Sequence, residues 1–192
     1  FRLRFRASLL RLHAHLQTAR AERVESEKEF EAETALGLLH GSTDLLLSFG
    51  GSREAVIDMK WAGTSKYRKV LEQGSHLQLA VYAFLQERAS KRWPAVGYYI
   101  LREGDLLTPA ESLFPDARLV SQAEGATVAL WEQAKATWRW RRQQIDKGAV
   151  ELVVDGTEAT DESAPPADAM VIEPLDARYN PYVHLAGWES GR

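Results

Sequence analysis

An aspartate and a lysine, Asp58 and Lys60, stand two positions apart at the end of an apolar, β-prone run. Because alternate side chains of a β-strand share one face, the carboxylate and the ammonium would project together. A second aspartate, Asp44, begins the preceding predicted strand, and the Gly-rich turn at 50–52 would bring it to the same end of a hairpin. The spacing therefore predicts that two carboxylates and one amine converge.

This combination of groups suits the chemistry of phosphate esters. Clustered carboxylate oxygens favour Mg²⁺ or Mn²⁺, which keep several waters and also bind substrate phosphate oxygens. A lysine beside them can orient or deprotonate the attacking water and offset the charge that builds on phosphorus. The alternative interpretation is a partly exposed Asp58–Lys60 ion pair worth less than about 1 kcal/mol.

Two further polar residues, Gln78 and Tyr82, are four positions apart in a predicted helix and so lie on one face of it. From there they could reach the active end of the hairpin. A second interpretation of Gln78 remains open, because Ser75 stands three residues before it. The pair forms a capping-box signature, in which the glutamine would bond back to the amide at the start of the helix.

The residues between these polar groups predict the elements that position them. Apolar residues at helical spacing predict a helix over about 5–21, although residues 1–6 alternate and could instead begin as a strand. The other predicted elements are strands at 44–49 and 55–60, a helix at 75–89 with Leu77, Val81 and Phe84 facing the core, a strand at 94–101, and a helix from a capping box at Ser121 to about Asp146. A strand that follows a helix implies a crossover, so the sequence predicts an α/β fold with a mixed central sheet flanked by helices.

Composition limits the class of protein. The chain has 192 residues, 45% of them hydrophobic and 27% charged, which predicts a single domain over residues 1–192. The absence of cysteine excludes disulfides and thiolate chemistry, and it fits a cytoplasmic location. No uncharged apolar run is long enough for a membrane span, so no membrane partner is expected. The first residue is Phe rather than Met, which suggests a domain excised from a longer protein.

Charge is unevenly distributed along the chain. Residues 148–177 carry eight acidic side chains and no Lys or Arg, and residues 155–168 predict a flexible acidic loop. Residues 1–147 carry 22 Lys and Arg against 18 Asp and Glu, a net charge of +4. A polyanion such as nucleic acid could bind this part of the chain. The candidate phosphate-binding cations are Arg2, Arg4, Arg6, Arg11, Lys66, Arg68 and Lys69.

Four short motifs occur in an order that resembles the PD-(D/E)XK nuclease superfamily, and specifically the branch typified by the RecB and AddB nuclease domains. The resemblance covers about residues 10–86. Each motif is weak, but the ordered set is specific. The motifs are Glu27-Lys-Glu-Phe30, Gly41-Ser-Thr-Asp44, Val56-Ile-Asp58-Met-Lys60 and Gly74-Ser-His-Leu-Gln78-Leu-Ala-Val-Tyr82.

The resemblance implies a restriction-endonuclease-like core with a metal site. In this family pattern, Asp44 and Asp58 would bind Mg²⁺ or Mn²⁺ with help from the Met59 carbonyl. An acid, Glu27 or Glu29, would complete the metal or water shell. These assignments follow from the family pattern and not from spacing alone.

The same resemblance implies roles for the remaining motif residues. Lys60 would handle the water, while Gln78 and Tyr82 would support the lysine and the DNA strand. Some relatives use a histidine on the first helix, for which His13 or His15 is available, although two residues two positions apart on a helix point in different directions.

The implied function is a metal-dependent nuclease that hydrolyses DNA phosphodiester bonds in end processing, repair or recombination, with a helicase domain or subunit as a candidate partner. The alternative is a non-catalytic DNA-binding or scaffolding module derived from the same fold. Such a module usually has a broken Asp…Asp-x-Lys set, and here the set is intact.

Three segments depart from the family pattern or stand outside it. Trp61-Ala62 occupies the place where a small Thr-Gly commonly follows the lysine, and residues 178–188 replace the cysteine cluster of many relatives and are expected to dock by aromatic burial. The aromatic and cationic run 138–142 could contact nucleic acid, but Trp131, Ala134 and Trp138 also have the spacing of a core face.

Overall fold

The computed structural model describes residues 2–149 and 164–170. The chain divides into two compact units, residues 1–132 and 133–192, and each is described by itself. The elements are α1 (Arg2–Thr18), β1 (Arg23–Thr34), β2 (Gly37–Phe49), β3 (Arg53–Lys60), α2 (Thr64–Glu72), α3 (Leu77–Ser90), β4 (Ala95–Ile100), β5 (Asp105–Thr108), β6 (Arg118–Leu119) and α4 (Ala126–Asp146). None of the described helices is long and apolar enough to cross a membrane.

The strands form one six-stranded sheet in the order β1-β2-β3-β4-β5-β6. Neighbours pair antiparallel except for β3 with β4 and β5 with β6, which pair parallel. The parallel pairing of β3 with β4 requires the crossover that α2 and α3 supply. This is the mixed α/β sheet that the sequence predicts.

The two faces of the sheet carry separate apolar clusters, because successive side chains of a strand point to opposite faces. On β3, Val56 packs into the cluster covered by α2 and α3, where Leu79 and Leu71 are fully buried. Ile57 packs into the opposite cluster, which Leu12 of α1 closes. The even-numbered residues Asp58 and Lys60 therefore belong to the face covered by α2 and α3.

Strand β2 pairs with β3 only along its second half. The register runs from Phe49 opposite Arg53 to Leu45 opposite Ile57, and no pairing continues past that point. The first half of β2 stays paired with β1, so these two strands extend beyond β3 as a two-stranded ribbon. Asp44 is the residue at which β2 leaves β3.

The first helix begins earlier than its predicted start at residue 5. Residues 2–6 are helical, so the strand alternative for residues 1–6 is wrong in the described residues 2–6. The predicted stripe also buries less than expected, because Leu9 is exposed while Leu12 and Ser8 are buried. A hydroxyl contact explains Ser8: Ser8 Oγ donates to Tyr99 Oη at 3.1 Å and anchors α1 on the sheet.

The predicted core face of α3 is only partly correct, since Val81 and Phe84 pack against the core but are partly buried. Leu77 is exposed, and the buried side chains of the helix include Leu79, Ala80, Ala83 and Leu85. Apolar residues occur on almost every side of this helix, so periodicity could not select the face that packs. Which face of α3 packs inward depends on its contacts with the sheet.

Helix α4 begins at Ala126, so Ser121 does not cap it and the predicted capping box is wrong. Gly125 stands just before the helix with φ of +71°, a conformation that glycine adopts without strain. Trp131 is buried and stacks on Phe84 with ring centroids 4.2 Å apart, but Trp138 is exposed, so only one tryptophan of the predicted face is in the core.

Predictions for the C-terminal part fall largely outside the described residues. The acidic loop at 155–168 is described only from residue 164, and the segment 178–188 is not described at all. Within residues 133–149, Arg141 lies over the Trp140 ring at 4.0 Å from its centroid. Nucleic-acid contact by the run 138–142 stays a prediction, as does the single-domain organisation.

Candidate active site

The hairpin of β2 and β3 brings Asp44 to the end of β3. One carboxylate oxygen of Asp44 accepts a hydrogen bond from the Met59 backbone amide at 2.5 Å. Asp44 is one residue beyond the last pair of the register on β2, and Met59 is two residues beyond it on β3, so this side-chain bond connects the strands past the end of their backbone pairing. Asp44 and Asp58 thus lie at the same point of the sheet, as the spacing predicts.

Asp58 is buried, with a relative exposure of 2%. Lys60 Nζ lies 2.7 Å from Asp58 Oδ2. Apart from this ion pair, Oδ2 has no hydrogen-bond partner among the described residues. The ion pair of the alternative interpretation is therefore present, but its carboxylate is not partly exposed. A buried carboxylate with a free lone pair is costly unless further positive charge approaches it.

The electrostatics of the pair favour such an approach. Burial raises the pKa of Asp58, and Lys60 opposes that shift without cancelling it. For Lys60, burial lowers the pKa, but the hydrogen bond and charge of Asp58, with Tyr67 and Asp44 contributing, outweigh burial and leave the pKa raised. Lys60 is therefore an ammonium ion at neutral pH. Its single positive charge lies near two carboxylates, those of Asp58 and Asp44.

Lys60 is also held from helix α3. Its ammonium donates to Gln78 Oε1 at 2.9 Å, and Gln78 Nε2 donates to the Tyr82 hydroxyl at 3.1 Å. The capping-box interpretation of Gln78 is wrong, because the residue that caps α3 is His76 and Ser75 Oγ donates to the Val70 carbonyl instead. The hydrogen bonds from Lys60 to Gln78 and from Gln78 to Tyr82 form a relay, which connects the amine to two side chains on one face of α3.

The ring of Tyr82 lies against the backbone of β2 at Gly41. A Cβ placed on Gly41 would stand 3.0 Å from Tyr82 Cε1, closer than side chains normally approach. The absence of a side chain at this position therefore allows Tyr82 to reach Gln78. Gly41 belongs to the Gly-x-x-Asp motif, so the glycine and the aspartate of that motif both serve the same site.

The structure does not gather a third acid around the two aspartates. Glu27 and Glu29 are both exposed on β1. In the described chain no group of three or more His, Asp or Glu side chains is arranged to hold a metal ion. The register nevertheless separates the two glutamates: Glu27 falls opposite Asp44, between the pairs Ser26–Leu45 and Lys28–Thr43, whereas Glu29 pairs with Ser42.

Glu27 has a second distinguishing feature, a positive φ of 52°. Residues other than glycine rarely adopt this left-handed conformation, and strained backbone is common at functional sites. The strand therefore kinks at the residue opposite Asp44. The sequence could not decide whether Glu27 or Glu29 completes the metal or water shell, and the backbone conformation favours Glu27.

Neither histidine of α1 joins the site. This helix packs on the face of the sheet opposite Asp58 and Lys60, where His13 is exposed. His15 lies edge-on to Tyr99 with ring centroids 6.5 Å apart, and burial lowers its pKa. The histidine of some relatives has no counterpart on α1 in this structure.

Sequence reasoning missed two tyrosines near the site. Tyr67 lies on α2, a helix that was not predicted, and Tyr98 lies on β4 beside Asp58 in the parallel register. Their ring centroids are 4.8 Å apart. Burial raises the pKa of Tyr98, and Asp58 and Tyr67 add to the shift. The run 66–69 signals only cationic charge in the sequence, so nothing pointed to Tyr67.

The donor set fits a divalent metal ion. Two carboxylates of different strands meet, one of them buried with an oxygen whose sole described partner is Lys60, and hard oxygen ligands of this kind suit Mg²⁺ or Mn²⁺. The other buried side-chain oxygens without a partner in the described chain, those of Ser42 and Thr43, directly precede Asp44. Unsatisfied polar atoms are thus concentrated at this point of the sheet.

A mixed sheet with an aspartate at the divergence of its central hairpin, and Asp-x-Lys on the partner strand, defines the restriction-endonuclease-like fold class. A family model of the PD-(D/E)XK nuclease superfamily matches residues 2–165, and the chain belongs to that superfamily. A search of curated proteins found no match to the chain. Nuclease activity is the general property of the superfamily.

Proposed function

We propose that this protein is a metal-dependent nuclease that hydrolyses phosphodiester bonds in DNA. The observation that carries the proposal is the convergence of Asp44, Asp58 and Lys60 at the end of β3, with the lysine held by Gln78. Membership of the superfamily supports the reaction class. The proposal adds the metal, the substrate and the roles of the residues.

Asp44 and Asp58 are the residues that would hold Mg²⁺ or Mn²⁺, with the Met59 carbonyl as a further ligand and Glu27 or Glu29 completing the metal or water shell. The position opposite Asp44 favours Glu27 of these two. A metal ion bound there supplies charge stabilisation for the phosphate and lowers the pKa of a bound water. Burial of Asp58 excludes bulk water from one side of the ligand set.

Lys60 acts as an ammonium ion in this proposal, because its pKa is raised. It donates to the attacking water or to a phosphate oxygen and so offsets negative charge as the bond to phosphorus forms. Gln78 holds one of its three hydrogens, and Tyr82 holds Gln78. The relay reduces the number of directions in which the amine can point, which preorganises the site before the substrate binds.

DNA would be held mainly by contacts to its phosphates, which bind without regard to sequence. Helix α2 starts four residues after Lys60, and Lys66, Arg68 and Lys69 are exposed on it. The arginines of α1 lie on a helix that packs on the other face of the sheet, and Arg11 donates to the Glu103 carbonyl. The α2 cations are thus closer in the chain to the catalytic strand.

The order of the motifs favours the branch typified by the RecB and AddB nuclease domains. We infer on that basis a role in DNA end processing, repair or recombination alongside a helicase domain or subunit. The competing candidate is a DNA-binding or scaffolding module without turnover. The direct Asp58–Lys60 contact is the observation that favours this rival, since it occupies an oxygen that a metal ion would use.

A cleavage assay on linear, circular and single-stranded DNA with Mg²⁺ separates the two candidates. Wild-type protein should cleave with Mg²⁺ and not with EDTA. Asp58→Asn, which keeps the shape of the buried side chain, and Lys60→Ala should abolish cleavage, while the matched surface variants Asp116→Asn and Lys91→Ala retain it. DNA binding without cleavage by the wild-type protein would favour the module.

A further inference from the structure

Two tyrosine hydroxyl groups on the α2 side of the site have no assigned role. Tyr98 lies next to Asp58 in the parallel register of β4 with β3, on the same face of the sheet. Tyr67 packs on Tyr98 with ring planes inclined at 54° and centroids 4.8 Å apart. The pair therefore lies beside Asp58 on the α2 side and shares no hydrogen bond with Gln78 or Tyr82 among the described residues.

Tyr67 is the member of the pair that faces solvent. It is half-buried in the first turn of α2, while Tyr98 is 3% exposed. Tyr67 packs on Tyr98, which is the register partner of Asp58, and its helix begins four residues after Lys60. The ammonium of Lys66 lies 5.6 Å from the Tyr67 ring centroid, so one of the cations expected to hold the DNA backbone lies beside this ring.

The Tyr67 hydroxyl is available as a donor. Within residues 2–149 and 164–170 it makes no hydrogen bond, and it is not sealed from solvent as the oxygens of Ser42 and Thr43 are. The hydroxyls of Tyr82 and Tyr99, by contrast, are bonded to Gln78 and Ser8. The Tyr67 hydroxyl, on the α2 side of the site, is therefore open to a ligand atom that approaches from solvent.

We propose that Tyr67 is a further catalytic residue whose hydroxyl donates a hydrogen bond to a non-bridging oxygen of the scissile phosphate, with Tyr98 fixing the orientation of its ring. This inference rests on the proposed nuclease function. The step involves no transfer of the phenol proton: Tyr67 stays neutral and stabilises charge on the phosphate oxygen, as preorganised donors do in other phosphoryl and acyl transfers. Its position on α2 places it among the cations expected to hold the DNA backbone.

The test is the Tyr67→Phe variant, which keeps the ring and removes only the hydroxyl. Its matched control is Tyr99→Phe, on the opposite face of the sheet, where the hydroxyl bonds to Ser8 of α1. We expect Tyr67→Phe to lower kcat by about 10-fold to 100-fold with KM little changed, the usual effect of losing a hydrogen bond to a charged group. Tyr99→Phe should leave kcat unchanged even if it lowers the melting temperature.

A substrate with a single phosphorothioate linkage distinguishes contact from packing. Sulfur is a poor acceptor, so replacing the oxygen that Tyr67 contacts should slow the wild-type enzyme but cause no comparable further loss in Tyr67→Phe. The other diastereomer should slow both proteins equally.

Equal kcat for Tyr67→Phe and wild type, or losses that multiply for both diastereomers, would overturn the role of Tyr67 while leaving the nuclease proposal intact. A wild-type protein that cleaves no DNA under any metal condition would instead overturn the nuclease proposal and this inference with it. The two failures are therefore distinguishable in one set of assays.

Discussion

Asp44 accepts a hydrogen bond from the Met59 amide at 2.5 Å and so joins β2 to β3 just past their last backbone pair, Leu45–Ile57. The same carboxylate is a proposed metal ligand. One side chain therefore has two tasks, to satisfy a backbone amide that the diverging strand leaves behind and to present negative charge at the end of β3.

These two tasks can be separated by substitution. Asp44→Asn keeps an oxygen that can accept from the Met59 amide but loses the charge, so we expect the melting temperature to stay near wild type while DNA cleavage is lost. Asp44→Ala removes the acceptor as well, and an unsatisfied amide should cost about 1–3 kcal/mol of stability. Thermal denaturation and a cleavage assay on both variants check this. Equal stability of the two variants would show that the hydrogen bond contributes nothing.

The relay from Lys60 to Tyr82 makes a second prediction. Gln78→Ala leaves Lys60 held by Asp58 alone, and Tyr82→Phe removes the partner of Gln78 Nε2. We expect a loss in kcat on the order of tenfold for each variant, and a double variant less active than wild type by clearly less than the product, because the groups act in series. Gln73→Ala, an exposed glutamine at the end of α2, is the control. Losses that multiply fully would show that the two residues act independently.

Gly41 should be intolerant of a side chain. A methyl group on Gly41 would press on Tyr82 Cε1 at 3.0 Å, so Gly41→Ala should displace the ring and lower kcat in the same direction as Tyr82→Phe. Gly63→Ala is a matched control, since no atom lies within 4 Å of its added Cβ and its φ is −81°. Steady-state kinetics on both variants decides the matter. Full activity of Gly41→Ala would show that displacing the Tyr82 ring does not affect catalysis.

His76 predicts how stability depends on pH. Its ring is fully buried at the start of α3, where Gln122 Nε2 lies 3.4 Å from Nδ1 and the Thr127 hydroxyl lies 3.1 Å from Nε2. Burial lowers its pKa from 6.5 to about 4. In the unfolded chain the His76 imidazole is protonated below about pH 6.5, whereas in the folded protein it stays neutral until about pH 4. The free energy of unfolding therefore falls as the pH falls from 6.5 to 4.

The loss attributable to His76 should reach about 3 kcal/mol at the acidic end of the window. Denaturant unfolding between pH 7 and pH 4 measures it, with His76→Gln expected to show a weaker dependence. His13→Gln, at an exposed position on α1, should keep the dependence of the wild-type protein. A wild-type slope that survives in His76→Gln would assign the effect to other groups.

The sequence predicts the hairpin well because its signals are local. Two apolar runs flank Gly50-Gly51-Ser52, and Ser52 and Gly51 adopt the positive φ that such a turn requires. Register then follows from the turn, which is why Asp44 and Asp58 could be placed together in advance. The identity of the Lys60 partner on α3 could not be derived in the same way, because the residues around Gln78 also fitted a capping box.

The rest of the site depends on long-range packing. Helix α2 is short, its N-cap Gly63 makes no side-chain hydrogen bond, and it buries Leu71 fully, so neither composition nor capping marked it in the sequence. Strands β5 and β6 are too short to show periodicity. Tyr67 was missed because helix α2, on which it lies, was not predicted. The kink at Glu27 is likewise a property of two strands together and has no signature in the residues around it.

The central claim is that Asp44 and Asp58 together hold a divalent metal ion. Calorimetric titration with Mn²⁺ tests it most directly, on wild-type protein, Asp44→Asn and Asp58→Asn, with Asp116→Asn as control. The account predicts a specific binding event at millimolar or lower metal concentration that both site variants lose and the control retains. No Mn²⁺ binding by wild-type protein that still binds DNA would contradict it.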